Sequence, residues 1–292
     1  MCGVSGWKVV ERTTDGARAL AADRPGASGG APKTVWAVPC DCTEGNRAER
    51  ALAKARVPER YRHCDFDNYE TDNEIPGNSR QVLDAWTRSL AQAKLVVQRF
   101  AQEFSPVREM QSEHGLLLMG PCGVGKTHLS VAALKEIVLR GHTGLFYDYR
   151  ELLKEIQDSY NPERQATEMS VLEPVLKTDF LVLDDVGSSK PSPWALETVG
   201  HVLNTRYNEK RVTLLTTNFL DPEVSAHSEG PAAPPRIAGI RAVAPEDSLT
   251  ERVGRRIRSR LYEMCRTIEI SGPDYRKEIR HAGHFRAEGA RS

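Results

Sequence analysis

No apolar run in the 292-residue chain approaches the roughly 18 residues that a membrane-spanning helix needs, so a spanning protein is not expected. The N-terminus, MCGVSGWKVVERTTDG, lacks the apolar segment of a secretory signal. Charge of one sign is missing too. The 40 Lys and Arg balance 40 Asp and Glu, so no global field draws the chain onto nucleic acid. Cysteine is sparse, at positions 2, 40, 42, 64, 122 and 265; without a signal these predict a reduced, cytoplasmic complement and no disulfide framework. What is present, 39% hydrophobic and 27% charged residues, fits a globular protein of about two domains and excludes a fibrous or wholly disordered chain.

The charge is unevenly placed. From Glu251 to Ser292 there are 11 Arg and Lys against 6 Asp and Glu, a net of +5. Such an end suits a phosphate or nucleic-acid partner, or simply a solvated face.

Four stretches follow from composition. Residues 1–45 hold two short apolar runs, Gly6–Val10 and Val35–Val38, around an Ala/Asp/Gly/Pro-rich filler, and predict a small β-ribbon with too little chain for a core. Residues 46–106 form a helical lead-in. There Val82, Trp86, Leu90, Ala93, Val97, Phe100 and Phe104 recur at steps of four and three, one apolar stripe, with Asn78 or Ser79 as cap and Pro106 beyond its end. Residues 107–280 alternate short apolar strands (115–119, 145–149, 180–183, 212–217 and 267–270) with helices, which predicts a parallel sheet covered on both faces. The Pro/Ala-rich segment 221–247 is a predicted surface insertion, and 281–292 a tail.

Residues 120–127, GPCGVGKT, match G-x-x-x-x-G-K-[ST] between a predicted strand and a predicted helix. Gly120, Gly123 and Gly125 let the backbone curl so that N–H groups, together with the helix N-terminus, face phosphate oxygens. Pro121, Cys122 and Val124 complete the loop, with Cys122 read as inert. Lys126 reaches the β- and γ-phosphates, and the Thr127 hydroxyl is a Mg²⁺ ligand. The expected ligands are therefore ATP and Mg²⁺.

A second acidic site is expected at the end of another buried strand. FLVLDDVG (180–187) supplies it: Asp184 to hold Mg²⁺, directly or through water, and Asp185 to orient or activate the attacking water. The strand at 145–149 falls between the two motifs, which predicts motif strands separated by an inserted one. Thr216-Thr217-Asn218 ends the fourth strand; the Asn218 amide is placed to sense the γ-phosphate or the lytic water, the alternative being an Asn that only starts a turn.

GPCGVGKTHLSVAA, FLVLDDVG, LLTTNF, SLTERVGRRIRSRLYEMC and GPDYR, in this order, resemble the AAA+ superfamily. They are most similar to helicase loaders of the DnaC/DnaI type and to transposition helper ATPases of the IstB type. The resemblance covers about residues 55–280 and implies a three-layer α/β/α core with a five-stranded parallel sheet. It implies that Arg256, in ERVGRR, reaches a neighbouring subunit's ATP, with Arg260 as second candidate, and hence a homo-oligomer. Arg276, in GPDYR, resembles the second sensor that contacts the γ-phosphate in the same chain. A docking role for the N-terminal region, toward a replicative helicase or a transposase, is likewise implied by the resemblance alone. One departure is the Asp-Asp pair where Asp-Glu is common, which predicts slow, partner- or DNA-stimulated turnover.

Cys40-Asp41-Cys42 with Cys2 suggests a structural Zn²⁺ in the small N-terminal module. Three cysteines are one short: a true start upstream would add a fourth, Cys64 or His63 would complete the set, or no metal binds. The leading expectation is an ATPase acting in DNA replication as a helicase loader. A transposition helper and a non-hydrolysing ATP-binding adapter are the alternatives. Contact with single-stranded DNA is expected at the basic residues 252–260, although no aromatic ladder accompanies them.

Overall fold

The computed structural model describes residues 7–12, 34–39, 50–72, 75, 77–106, 115–161, 167–221 and 248–279. The chain divides into two compact units, Met1–Ala51 and Leu52–Ser292. In the first, β1 (Trp7–Arg12) and β2 (Thr34–Pro39) pair antiparallel, with Trp7 opposite Pro39 and Arg12 opposite Thr34. Valine and tryptophan in both segments favour the extended backbone.

In the second unit, β3 (Gly115–Met119), β4 (Gly144–Asp148), β5 (Phe180–Asp184), β6 (Val212–Thr217) and β7 (Cys265–Glu269) form one sheet in the order β4-β5-β6-β3-β7. Every pairing is parallel. The three middle strands are buried along their whole length and are mostly apolar, the buried exceptions being Asp184 in β5 and Thr213, Thr216 and Thr217 in β6, whereas the edge strands β4 and β7 are partly exposed. The expected five-stranded parallel sheet between helical layers is thus present.

The pleat sorts the side chains between the layers. Leu117, Met119, Leu181, Leu183 and Leu215 point into one core with α3 (Tyr149–Asp158), α4 (Glu168–Lys177), α5 (Pro193–Asn208) and α6 (Leu249–Met264). On the opposite face lies α2 (Lys126–Leu139), with α1 (Arg80–Gln102) packed against it. Because α1 covers its outer side, α2 is apolar nearly all round, burying Leu129, Val131, Ala132, Ala133, Leu134, Ile137 and Val138. Of the α1 stripe, Leu90, Ala93 and Val97 are buried, and Phe104 beyond the helix end meets Phe180 edge-on at 5.6 Å; Val82 and Trp86 are only half-buried.

Helix α6 is broken at Gly254, whose φ of 77° and ψ of 155° no other residue type adopts readily. The motif strands β3 and β5 are separated in the sheet by one inserted strand, β6.

Arg206 of α5 is wholly buried, yet faces carbonyls and a hydroxyl instead of a carboxylate. Its guanidinium donates to Val175 O (2.7 Å), Thr178 O (3.0 Å), Val212 O and Thr213 Oγ1 (2.9 Å), closing the C-terminal end of α4 onto the start of β6. Burial pushes its pKa down to about 9. Arg206→Met would leave those acceptors unpaired, so it is expected to destabilise the fold by about 3 kcal/mol or more. Urea unfolding checks this; a loss below about 1 kcal/mol would show that water replaces the guanidinium.

Candidate functional site

The phosphate loop runs from the end of β3 to the first turn of α2. Gly125 precedes α2 in the left-handed conformation (φ 89°, ψ 21°), and a Cβ there would lie 2.4 Å from Tyr69 Cε2. Only glycine meets both demands. The Tyr69 hydroxyl donates to Val124 O at 2.8 Å and its ring meets His128 edge-on at 5.4 Å, so a residue far upstream buttresses the loop. From the other side Tyr275 N donates to Gly123 O at 3.2 Å, and Arg276 N to Asp274 Oδ1 at 3.1 Å.

Lys126 turns inward. Its Nζ donates to Gly120 O (2.8 Å), Pro121 O (2.8 Å) and Asn218 Oδ1 (2.7 Å). Burial pushes its pKa down to about 8, against the pull of Asp184 and Asp185, while Arg276 lowers it further. Arg276 is therefore within electrostatic reach of the loop although its side chain is exposed.

Asp184, at the tip of β5, is buried. It accepts from Thr127 Oγ1 (3.0 Å to either oxygen) and from Thr216 Oγ1 (2.6 Å). Burial pushes its pKa up to about 6, which the two hydroxyls only partly offset. A buried carboxylate met by neutral hydroxyls suits a hard cation, and Thr127, donating its proton to Asp184, keeps lone pairs for the same ion. These residues fit Mg²⁺.

Asp185 takes a left-handed backbone (φ 58°) that turns its side chain toward β6. Its N–H donates to Thr216 Oγ1 (2.9 Å) and its Oδ1 accepts from Asn218 Nδ2 (2.6 Å). Asn218 so bridges Lys126 and Asp185, and Thr216 links the Asp184 carboxylate to the Asp185 backbone. The sequence reading did not single out Thr216 or Tyr69; a hydroxyl at a strand tip is a signal for the first, but nothing near Tyr69 announces its partner.

The late arginines sort themselves. Arg260 donates to Asn204 Oδ1 (3.0 Å) and Glu263 Oε2 (2.8 Å) and lies over the Tyr207 ring, 4.4 Å from its centroid. Arg258 pairs with the buried Asp221. Arg256 is exposed, forms no hydrogen bond or ion pair with the described residues, and lines a cleft of about 760 Å³ with Leu196, Gly200, His201 and Arg255.

Cys2, Cys40 and Cys42 and the segment 222–247 lie outside the described residues. Cys64 is buried beside His63 (Sγ to Nε2 3.9 Å), its thiol pushed up to about 11 by burial. Among the described residues no group of three or more His, Cys, Asp or Glu is arranged to hold a metal. No described helix is long and apolar enough to cross a membrane.

Residues 82–224 match the family model described as IstB-like ATP binding protein. The replicative helicase loader DnaC of Buchnera aphidicola subsp. Acyrthosiphon pisum is 24% identical over 173 residues, 59% of this chain and 63% of that protein. DnaC of Escherichia coli K12 is 23% identical over 176 residues, 59% of this chain and 64% of that one. A crystal structure of the DnaC helicase loader superposes with a TM-score of 0.53 at 28% identity, covering 73% of this chain and all of that chain. The nucleotide-binding core is similar to the AAA+ ATPases of the DnaC and IstB type. A crystal structure of DnaI shares the fold, with a TM-score of 0.50 at 21% identity over 75% of this chain and 94% of that one. The chain spans under two thirds of the curated DnaC relatives it matches.

Proposed function

We propose that this protein is an ATP-hydrolysing helicase loader of DNA replication, whose nucleotide state switches its assembly on a replicative helicase and on single-stranded DNA. The observation that carries the reading is the complete site, Lys126, Thr127, Asp184, Asp185 and Asn218 joined in one hydrogen-bonded set, on a core that covers the whole of a DnaC loader structure.

The roles follow from the geometry. Backbone N–H groups of the loop after Pro121 and the α2 N-terminus bind the phosphates, and Lys126, withdrawn from Asn218, reaches the β- and γ-oxygens. Thr127 and Asp184 hold Mg²⁺, which when bound neutralises charge on the phosphate oxygens. Asp185 accepts a proton from the attacking water, and Asn218, freed of Lys126, orients that water or the γ-phosphate. Arg276 acts from within the chain and Arg256 on the next subunit, so the active form is a homo-oligomer. The N-terminal unit is the part proposed to dock the helicase.

The IstB-like family match favours a second reading, a transposition helper with the same core. One experiment separates them: ATP turnover with and without single-stranded DNA, beside co-elution with the replicative helicase of the same source in ATP and in ADP. The loader reading expects a helicase complex that depends on the nucleotide and turnover that rises with single-stranded DNA or helicase. No helicase complex in either nucleotide, with binding to duplex DNA and a transposase instead, would favour the helper. ATP binding without turnover under every condition would leave an adapter.

A further inference from the structure

Asp221 lies three residues past Asn218, beyond the end of β6, and is a buried carboxylate. It meets the second part of α6: Arg258 Nε and the Tyr262 hydroxyl (3.0 Å) both donate to Asp221 Oδ2, and the Arg258 guanidinium lies 5.2 Å from the centroid of the Tyr262 ring. Its two predecessors grip the first part of the same helix. Leu249 N donates to Leu220 O at 3.0 Å, and the Arg252 guanidinium sits 4.5 Å over the Phe219 ring. Four consecutive residues thus connect the phosphate site, through Asn218, to both ends of α6.

The break at Gly254 makes the last of these contacts decisive. A continuous helix held at residues 249–252 would carry its later residues in a fixed direction. With non-helical φ and ψ at Gly254, the direction of 255–264 is no longer dictated by 249–253. Ile257 and Leu261 hold the second part by apolar packing, which resists separation but is weakly directional against rotation about the helix axis. Arg258 and Tyr262, one turn apart on one face, converge on a single carboxylate and resist that rotation.

The geometry points to Asp221 as a positioning residue that sets the direction in which Arg256, two residues before Arg258, leaves the helix toward a neighbouring subunit. It is not a catalytic residue, since it acts on Arg256 through Arg258 and Tyr262 and not on the nucleotide. The inference rests on the trans-acting role of Arg256 proposed above, and the test keeps the two apart.

Two defective proteins are mixed. An Arg256→Ala subunit keeps its own ATP site but has no arginine to donate; a Lys126→Ala subunit has a dead site and an intact arginine. The reference mixture is expected to recover turnover that neither variant shows alone. A donor carrying Lys126→Ala and Asp221→Ala should then support at least tenfold less, whereas Lys126→Ala with Asp221→Asn, which still accepts from Arg258 and Tyr262, should support most of the reference value. Asp221→Ala alone should bind ATP within about twofold of wild type, because the carboxylate does not touch the phosphate loop. Equal support from both donors would overturn the positioning role, as would loss of ATP binding by Asp221→Ala, which would mark a general structural part. An inactive reference mixture would overturn the trans-acting arginine itself, and the positioning role with it.

Discussion

Asp185→Asn is expected to lower ATP turnover by about 10²–10⁴ while nucleotide affinity stays near wild type. The substitution is unusually clean. Asp185 sits at φ 58°, where asparagine is among the few residues tolerated, so the backbone need not move. The amide oxygen can still accept from Asn218 Nδ2, and Asp185 N keeps its bond to Thr216 Oγ1. What disappears is the negative charge and the capacity to take a proton from water. Asp185→Ala would be harder to interpret, since it also strands the Asn218 amide and adds backbone strain of about 1 kcal/mol. Turnover measured beside the affinity for a fluorescent nucleotide checks the prediction. If Asp185→Asn hydrolyses ATP within about twofold of wild type, another group activates the water, and Asp185 only supports Asn218.

How much of this was legible in the sequence depends on the range of the contact. β3 and β6 match their expected bounds because a strand buried on both faces has few polar residues, GLLLM having none and VTLLTT only β-branched threonines that suit a strand. β7 (Cys265–Glu269) begins two residues earlier than the expected 267–270; as an edge strand, CRTIE mixes polar and apolar residues and loses that contrast. The phosphate loop could be read because its chemistry fixes residue types at fixed spacing. Tyr69 and Val124 are 55 residues apart, and Asp221 and Arg258 are 37 apart; nothing local distinguishes this tyrosine or this aspartate from a surface one. The place of β6 between β3 and β5 is likewise a matter of crossovers, which a linear pattern of strands does not encode. Nothing in ERVGRR marks Gly254 as a joint, and only its dihedrals reveal one.

Arg256→Ala is expected to reduce turnover by about 10³–10⁵, in the range for removal of an arginine that neutralises charge on a transferred phosphoryl group. ATP affinity of the same subunit should be unchanged, since Arg256 touches none of Lys126, Thr127, Asp184 or Asn218 in its own chain. The structure sharpens the choice among the late arginines. An arginine that serves a neighbour must leave its own chain free-ended, and Arg260 does not: its guanidinium is committed to Asn204, Glu263 and the Tyr207 ring. Arg260→Ala should therefore change turnover by less than about tenfold, chiefly through the α5–α6 contact it closes. Arg255 is exposed beside Arg256 but leaves the helix about 100° away around its axis, so both cannot address one phosphate from the same approach. Steady-state turnover of the three alanine variants at a concentration where wild type is assembled decides between them. A deep loss confined to Arg256 supports the trans-acting assignment, whereas a deep loss in Arg260→Ala with Arg256→Ala near wild type would move the arginine one turn along α6 and require Arg260 to leave its present partners when subunits assemble.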